Sequence, residues 1–320
     1  MAFMAVLAMA VPVHAGTEQS ATVERRHFSL RLTEQAWLST GQSHFSIGGV
    51  AGVPAVVSDL RWKDLRSNTL IFGADALFNE LWTFKVEAGF GYIGGGQLRD
   101  QDFALTSPPC SNQLCAETLS NVKDQGLSFI NVDFGYRIAA WDWHGNSHES
   151  FVDVLVGYQR WKEQYVATDT QDLDPLGLGA QTIDQGKALS EEFTWNNARL
   201  GVRTAIRLLN NLSFRGSAYY LPYVTFDLKD IHHFRSDLRQ DPSFHGVADQ
   251  GLKGSGAQVE AGFSYRVWQS LTLDLGYRFW TVRSPTGTIT ARETTGDTEQ
   301  VLNRVTSTRH GVLLGIGYTF

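Results

Sequence analysis

The 320-residue sequence lacks the features of several large protein classes. No segment offers the roughly 20 consecutive apolar residues of a membrane-spanning helix, which argues against a helical membrane protein. An excess of one charge sign is also missing, because 27 basic residues stand against 33 acidic ones. We therefore expect no nucleic-acid partner.

Cysteine is scarce as well. Cys110 and Cys115 are the only two, and they lie in a stretch rich in proline, serine and asparagine. In an oxidising compartment we predict a disulfide between them that closes a small loop. Further ligands are missing nearby, so we do not expect a metal site there. We predict no bound metal elsewhere and no cofactor.

The N-terminal segment resembles an export signal. Residues 1–15 are apolar and end in Val13-His14-Ala15, a small-x-small cleavage pattern, although a basic segment before the apolar run is missing. Pro12 and the polar residues 16–26 argue against a buried N-terminal helix. We predict a secretory signal peptide over 1–15 and a single domain over 16–320.

The dominant pattern is alternation of apolar and polar residues, which predicts β-strands. It recurs at 28–33, 70–78, 82–92, 130–138, 152–158, 199–207, 212–218, 258–267, 271–279 and 312–320. The polar face carries charges of both signs, and the apolar face ends in aromatic residues. A β-sandwich would instead expose a polar face to solvent, whereas an aromatic-ended apolar face is typical of outer-membrane barrels.

The connections point to the same architecture. Tight turns at Asn210-Asn211 and Trp268–Leu271 contrast with long polar connections at roughly 96–125, 169–190, 229–254 and 286–304. We predict an all-β fold: a transmembrane antiparallel β-barrel of about ten strands in the bacterial outer membrane, with long extracellular loops. Its lumen would be closed by salt bridges, because charges removed from water must be paired.

Two short motifs are candidates for chemistry. Asp100 and Asp102 follow Gly94-Gly95-Gly96 where a strand is expected to run out into a loop, and Asp230 and His232 lie near another long loop. Residues two apart in a strand share a face. Alone, the first motif is more typical of a solvated turn or a calcium ligand pair, and the second of an ion pair at the rim.

Together the motifs suggest a hydrolytic site. Asp230 would fix the tautomer of His232 and raise its basicity, as a general base requires. A water held between Asp100 and His232 would lose its proton to the imidazole, while Asp100 and Asp102 position it. Such a site cleaves an amide without a covalent intermediate or a metal, and it needs neutral His232.

The sequence resembles the omptins, a family of outer-membrane proteases with a ten-stranded barrel, over about 28–320. Four segments look like family motifs: Ser58-Asp59-Leu60-Arg61-Trp62-Lys63, Gly95-Gly96-Gln97-Leu98-Arg99-Asp100-Gln101-Asp102-Phe103, Gly157-Tyr158-Gln159 and Asp230-Ile231-His232, followed by the terminal Tyr318-Thr319-Phe320. The resemblance implies an endopeptidase in which Asp100 and His232 hold the catalytic water, supported by Asp102 and Asp230. The active site would face the cell exterior, with peptides or proteins as substrates.

The resemblance also implies a lipid-binding site, and the sequence departs from the family pattern at two positions. It implies lipopolysaccharide bound at Tyr158, Arg160 and Lys162, needed for activity; the alternative is that these are ordinary rim charges. Omptins use two acidic pocket residues to cleave between basic residues, but this chain has Leu228 at one position and no acid near 43–45 at the other. Asp227 would point away from Asp230, so a preference for dibasic sites is not expected.

Two other functions remain open on the sequence. A non-catalytic barrel, acting as an adhesin or surface-binding protein, would use the long loops as its working parts. A lipid A deacylase would need a Ser/His pair on the lipid-facing wall, and the sequence reveals none.

Overall fold

A computed structural model describes residues 28–50, 55–103, 114–123, 125–141, 150–173, 182–248 and 254–320, with no side-chain detail for 182–185. The predicted signal peptide and Cys110 lie outside the described residues, so the signal peptide and the Cys110–Cys115 disulfide stay predictions. Within the described ranges, helices long and apolar enough to cross a membrane are absent.

The described ranges contain fourteen antiparallel strands. They are β1 (Phe28–Gly48), β2 (Ser58–Phe78), β3 (Trp82–Phe103), β4 (Leu114–Val122), β5 (Gln125–Trp141), β6 (Ser150–Asp172), β7 (Thr182–Leu209), β8 (Leu212–His232), β9 (Phe244–Ala248), β10 (Ser255–Arg266), β11 (Leu271–Arg283), β12 (Gly287–Glu293), β13 (Gly296–Leu302) and β14 (Thr306–Thr319).

The strands close into a ring of about ten, as the alternation predicted. One level of the ring runs β1-β2-β3-β5-β6-β7-β8-β10-β11-β14 and returns to β1. At the other level β4 stands between β3 and β6, and β9, β12 and β13 connect β8 to β1. The described strands therefore close on themselves at both levels.

Part of each long connection predicted from the sequence is strand. β3 and β8 continue through the candidate motifs to Phe103 and His232, and β4, β9, β12 and β13 lie inside the segments expected to be loops. Their ladder hydrogen bonds extend the wall, because the polar sequences there meet water on the outside rather than lipid. The two tight turns at Asn210-Asn211 and Trp268–Leu271 are confirmed at the opposite end.

Exposed apolar and aromatic side chains encircle only part of the barrel, and we call this part the belt. On β3 it ends at Tyr92 and on β8 at Tyr220, both at least half exposed. The wall continues beyond each by roughly 25 Å or more, at about 3.3 Å per residue. We call this part the extended end. Asp100, Asp102, Asp230 and His232 all lie there, outside the belt.

Bulges reverse the two faces of the strands above the belt. On β3 the even-numbered residues up to Tyr92 face outward, yet beyond Gly96, with φ of +153°, Leu98 and Asp100 face inward. A compensating irregularity at Asp64, with φ of 52°, keeps the β2–β3 register. On β8 an extra residue around Pro222 has the same effect, so Asp230 and His232 face inward. Such bulges re-aim side chains.

The interior is filled. Ion pairs cross the lumen, among them Arg203–Asp75, Arg278–Glu87 at 2.6 Å and Arg309–Glu163 at 2.8 Å. Trp161, two residues before Glu163 on β6, stacks between Phe129 and Trp280, with ring centroids 4.8 and 4.3 Å away. The prediction of a closed, salt-bridged lumen agrees with this packing.

Candidate functional site

Two aspartates form one side of the candidate site. Asp100 pairs with Leu60 of β2 and Thr118 of β4, and Asp102 pairs with Ser58 and Ala116, so both carboxylates face the interior of the extended end. The Ser58 hydroxyl donates to Asp100 Oδ1 over 3.4 Å. Asp100 is half-buried, whereas Asp102 is exposed at the rim.

An aspartate and a histidine form the other side. Nε2 of His232 lies 3.0 Å from Oδ2 of Asp230, and the Asp230 side chain is 1 % exposed against 26 % for His232. The segment after β8 fixes this geometry. Its Ser243 hydroxyl accepts the His232 backbone N–H over 3.1 Å, and the Gln240 amide donates to the His232 carbonyl over 2.9 Å. The Phe244 ring packs 5.0 Å from the imidazole.

The two sides act on each other electrostatically. Burial raises the pKa of Asp100 to about 7, and the charges of Asp102 and Asp230 add to that rise while His232 opposes it. Partial loss of hydration at the crowded rim also raises the pKa of Asp102, and the Ser58 hydrogen bond and the charge of His232 oppose that rise. The structure thus brings together the four residues that the sequence set out as two separate motifs.

The pKa of His232 is raised although the ring is largely buried. Burial favours the neutral ring, but the charge and hydrogen bond of Asp230 and the charge of Asp100 outweigh that effect. An ionised Asp230 accepts only, so the Nε2 atom that contacts it carries the hydrogen. The nitrogen left to accept a proton in the neutral ring is then Nδ1, the arrangement of a general base held in one tautomer.

The chain matches a known family over nearly all of the described barrel. The model of one family, Pom, the Protochlamydia outer membrane protein, matches residues 29–320. The chain belongs to the Protochlamydia outer membrane protein family. No curated protein matches the chain.

One solved structure shares the architecture, and others align with low scores. The outer membrane protease OmpT from Escherichia coli superposes with a TM-score of 0.76 at 13% identity, covering 94% of this chain and 100% of that one. The translocator domain of the autotransporter NalP from Neisseria meningitidis gives 0.37 at 14% identity, covering 91% and 88%. A Pseudomonas aeruginosa FadL homologue gives 0.31 at 11%, covering 92% and 90%. The family match and the likeness to OmpT together make the chain an outer-membrane β-barrel.

Leu228 and Ser43, at the expected positions of the acidic pocket, are uncharged, and Asp227 is turned away. Leu228 is fully buried on the interior face, and Ser43 is buried in hydrogen bonds to Tyr165 and Ser307. Asp227 points to the outside, where its Oδ2 lies 2.9 Å from Nε2 of His245 on β9. The position of Asp227 agrees with the strand alternation, which predicted that it points away from Asp230.

Tyr158, Arg160 and Lys162 lie in a row on the outer wall of β6, just past the belt residues Val154 and Val156. The Tyr158 hydroxyl donates to Asn196 over 2.6 Å, and Lys162 pairs with Glu192 at 2.8 Å. Arg160 is exposed. The row therefore presents cations where the belt ends.

The sequence missed a Ser/His pair on the outer wall. Ser190 Oγ lies 2.8 Å from Nε2 of His233, and both are carried there because their neighbours Glu191 and His232 face inward. The pair stands beside the rim, far above the belt where an acyl chain would lie. Its position does not match the lipid-facing pair that a deacylase needs.

The sequence also missed Glu191, a buried carboxylate on β7 directly across the ladder from Asp230. Its signal was weak, because Glu191-Glu192 reads as an ordinary charged pair of residues. In the described part of the chain, groups of three or more His, Cys, Asp or Glu side chains arranged to hold a metal are absent.

An open groove of about 780 Å³ lies elsewhere, on the outer wall between Arg66, Tyr92, Tyr277 and His310. Its size alone would make it a candidate site, but its lining shares no residue with the carboxylate cluster. We assign the site from the cluster, since mutually perturbed titratable groups are where catalytic chemistry concentrates.

Proposed function

We propose that this barrel is an endopeptidase whose hydrolytic water lies between Asp100 and His232 at the extended end, which faces the cell exterior. The observation that carries the proposal is the Asp230–His232 contact of 3.0 Å facing a carboxylate whose pKa is raised to about 7. Mutually perturbed acid and base groups in one space are typical of catalytic sites.

Each residue has a distinct task in this mechanism. His232 takes the water proton at Nδ1, and Asp230 stabilises the imidazolium that forms. Asp100 accepts the second water hydrogen and so directs the oxygen at the peptide carbonyl, while Asp102 supports it. The imidazolium then returns its proton to the leaving amine, so protons and charge balance over the cycle.

The similarity to OmpT supports the proposal at the level of the fold. That structure is a protease on a barrel of the same size, but a likeness at 13% identity says nothing by itself about activity. The argument from residues is separate, because it rests on the side chains of β3 and β8 that meet at the extended end.

The environment of the site argues for substrates other than dibasic peptides. Leu228 lies on the interior face next to Asp230, and it offers no charge to a lysine or arginine side chain. Burying a cation there without a partner would be costly. We expect cleavage sites to be selected by apolar or neutral side chains.

We further propose that lipopolysaccharide phosphates bind Arg160 and Lys162, with Tyr158 beside them. Arg and Lys are the usual partners of phosphate oxygens. The row stands at the edge of the belt, where the headgroups of an outer leaflet would lie. Lys162 must leave Glu192 to take part, so Arg160 carries most of the binding.

A peptide-cleavage assay tests the protease proposal. The full chain is refolded with lipopolysaccharide and incubated with a mixed peptide library, and products are read by mass spectrometry. Asp100→Asn and His232→Ala should each lower kcat by at least about 100-fold, the usual contribution of a general base.

The chain supplies a matched control for this assay. Asp227 and His245 form a second Asp–His pair, at 2.9 Å, on the outward face of the same wall. Asp227→Asn and His245→Ala should leave cleavage unchanged. If wild type cleaves nothing, or if the inward and outward pairs behave alike, the barrel is not this kind of protease and surface binding becomes the favoured function.

A further inference from the structure

Glu191 is the feature of the site that the mechanism above leaves without a task. It stands on the interior face of β7, directly opposite Asp230 of β8 and opposite Tyr165 of β6. Directly opposed residues have Cβ atoms about 4.5–5.5 Å apart, so the two carboxyl groups are neighbours. Glu191 is 2% exposed and Asp230 1%, which leaves water almost no access to either.

The oxygens between these two residues lack partners. Oε1 and Oε2 of Glu191 and Oδ1 of Asp230 are buried, and within the described ranges none of the three is in a hydrogen bond of normal geometry. The Trp62 indole N–H, likewise without such a bond, lies near enough to Glu191 to act on it as a weak donor. His232 occupies only the other oxygen of Asp230, at 3.0 Å. Buried polar atoms are almost always hydrogen-bonded, so three orphaned oxygens side by side require an explanation.

One proton bound between the two carboxyl groups explains the oxygens that lack partners. Two ionised carboxylates held this close and away from water repel strongly, and one of them takes up a proton. A protonated Glu191 has an O–H to donate, and the unpaired Oδ1 of Asp230 is the acceptor beside it. Asp230 is the member that stays ionised, because His232 is already bound to it.

The groups facing Glu191 favour the same protonation state. Burial raises the pKa of Glu191 well above its usual value, and the charges of Asp230 and Asp100 raise it further. The hydrogen bond from the Trp62 indole on β2 lowers it, but burial is the larger effect. Trp62 stacks on Tyr165 with ring centroids 4.8 Å apart, which closes the pocket over the carboxyl group. Tyr165 itself is bonded to Glu163 and Ser43.

We infer that Glu191 is a positioning residue: it carries a proton at neutral pH and donates it in a hydrogen bond to Asp230, which holds the Asp230 carboxylate against His232. Its effect on catalysis rests on the proposed protease function, but the hydrogen bond does not. A neutral Glu191 also spares His232 a second nearby negative charge. The other titratable groups that act on His232 include Asp100 and Asp102 on β3, the adjacent His233, and Arg235 and Asp237 after β8.

The test is a titration of His232 that needs no activity. The full chain is labelled on its 9 histidines, refolded in detergent micelles and titrated by NMR, with the His232 signal assigned from its loss in His232→Ala. Glu191→Gln is the decisive variant, since glutamine has the shape of the protonated acid and can donate to Asp230. Glu192→Gln, which changes the neighbouring outward-facing glutamate, is the matched control.

The two protonation states of Glu191 predict different midpoints for His232. If Glu191 is neutral, Glu191→Gln and Glu192→Gln both leave the His232 midpoint within about 0.3 pH unit of wild type. If Glu191 is ionised, Glu191→Gln removes a buried negative charge and the midpoint falls by about one unit or more, which overturns the inference. Glu191→Leu removes the donor and should raise the midpoint, because Asp230 then acts on His232 undiminished; an unchanged midpoint there argues equally against the hydrogen bond.

Kinetics separate this inference from the proposed function. Glu191→Gln should keep kcat/KM within about threefold of wild type, while Glu191→Leu should lose at least about tenfold, mainly in kcat, as expected when a general base is misaligned. Loss of activity in Glu191→Gln would overturn the positioning role. If wild type cleaves no peptide, the protease proposal fails, and the NMR titration still decides the protonation of Glu191.

Discussion

His232 Nε2 and Asp230 Oδ2 stand 3.0 Å apart on the interior face of β8, in a strand whose alternation below the belt edge would have turned both outward. The contact gives the imidazole a fixed tautomer and an anionic partner. It also joins the chemistry of the site to the pH of the medium, since His232, Asp100 and Asp102 all have raised pKa values.

The first prediction concerns the pH dependence of cleavage. The mechanism needs neutral His232 and ionised Asp100, and each group reaches that state only above its pKa. The pKa of Asp100 is raised to about 7, and the pKa of His232 is raised above its ordinary 6.5. The value of kcat/KM should therefore rise through pH 7 and fall steeply below it. A profile flat from pH 5.5 to 8 would remove both groups from the mechanism.

The second prediction is that Asp100→Asn stabilises the barrel while it abolishes cleavage. An acid whose folded pKa is raised binds a proton that the unfolded chain releases near pH 4, so stability is greatest below that pH and falls until about pH 7. The variant should gain on the order of 1–3 kcal/mol at pH 8, and the gain should shrink towards pH 4. Urea unfolding in detergent at the two pH values measures it.

The control for that measurement is Asp227→Asn. Asp227 is bonded to His245 on the outward face, so removing its charge should not stabilise the protein. Equal gains in the two variants would mean that general charge reduction, rather than the crowded interior of the site, is responsible.

The sequence was sufficient to predict the barrel because alternation reports which residues meet lipid and which meet the lumen. It was insufficient for the site, because alternation does not show where a bulge exchanges the inward and outward faces of a strand. Extending the β3 pattern from Tyr92 places Asp100 outside; only the bulge at Gly96 brings it inside. The family resemblance supplied what the pattern could not.

The third prediction tests that bulge. Gly96 has φ of +153°, and a Cβ there would meet the Lys63 carbonyl at 2.8 Å and Leu65 Cδ2 at 2.9 Å. Gly96→Ala should cost roughly 1–3 kcal/mol of folding free energy from backbone strain and steric conflict. It should also lower kcat by an order of magnitude or more, because Asp100 lies four residues further along the same strand.

Gly296 provides the comparison. Its φ of +148° is similar, but it begins β13 directly after the turn from β12, with nothing within 4 Å of an added Cβ. Gly296→Ala should share only the backbone strain and leave kcat unaltered. A comparable loss of kcat at both positions would show that the bulge at Gly96 does not aim Asp100.

The extent of the wall was the other failure of the sequence. The polar residues beyond the belt were expected to form loops, because the pattern used to recognise a strand was an apolar face in contact with lipid. Above the belt the outer face needs no apolar residue, and a strand there has polar side chains outside and a mixed set inside. Glu191 is a member of that inner set, and only its ladder partner Asp230 reveals its position.

The last prediction links the buried ion pair Arg309–Glu163 to the site. Arg309 Nε lies 2.8 Å from Glu163 Oε1, while its Nη1 donates to the Leu65 carbonyl over 3.0 Å and to Ser67 Oγ over 2.9 Å. Leu65 belongs to the irregularity of β2 that faces the Gly96 bulge.

Glu163→Gln leaves the Arg309 charge buried without its anion, which should cost about 3–5 kcal/mol. Replacing both, Glu163→Leu with Arg309→Met, removes the unpaired charge and should recover much of that stability. The double variant nevertheless loses the Arg309 contacts with Leu65 and Ser67, so its kcat should stay below wild type although the fold is restored. Urea unfolding and peptide cleavage, measured on the same samples, separate the two effects. If the double variant recovers both stability and kcat, Arg309 contributes only its ion pair, and its contacts with Leu65 and Ser67 do not support the β2 irregularity.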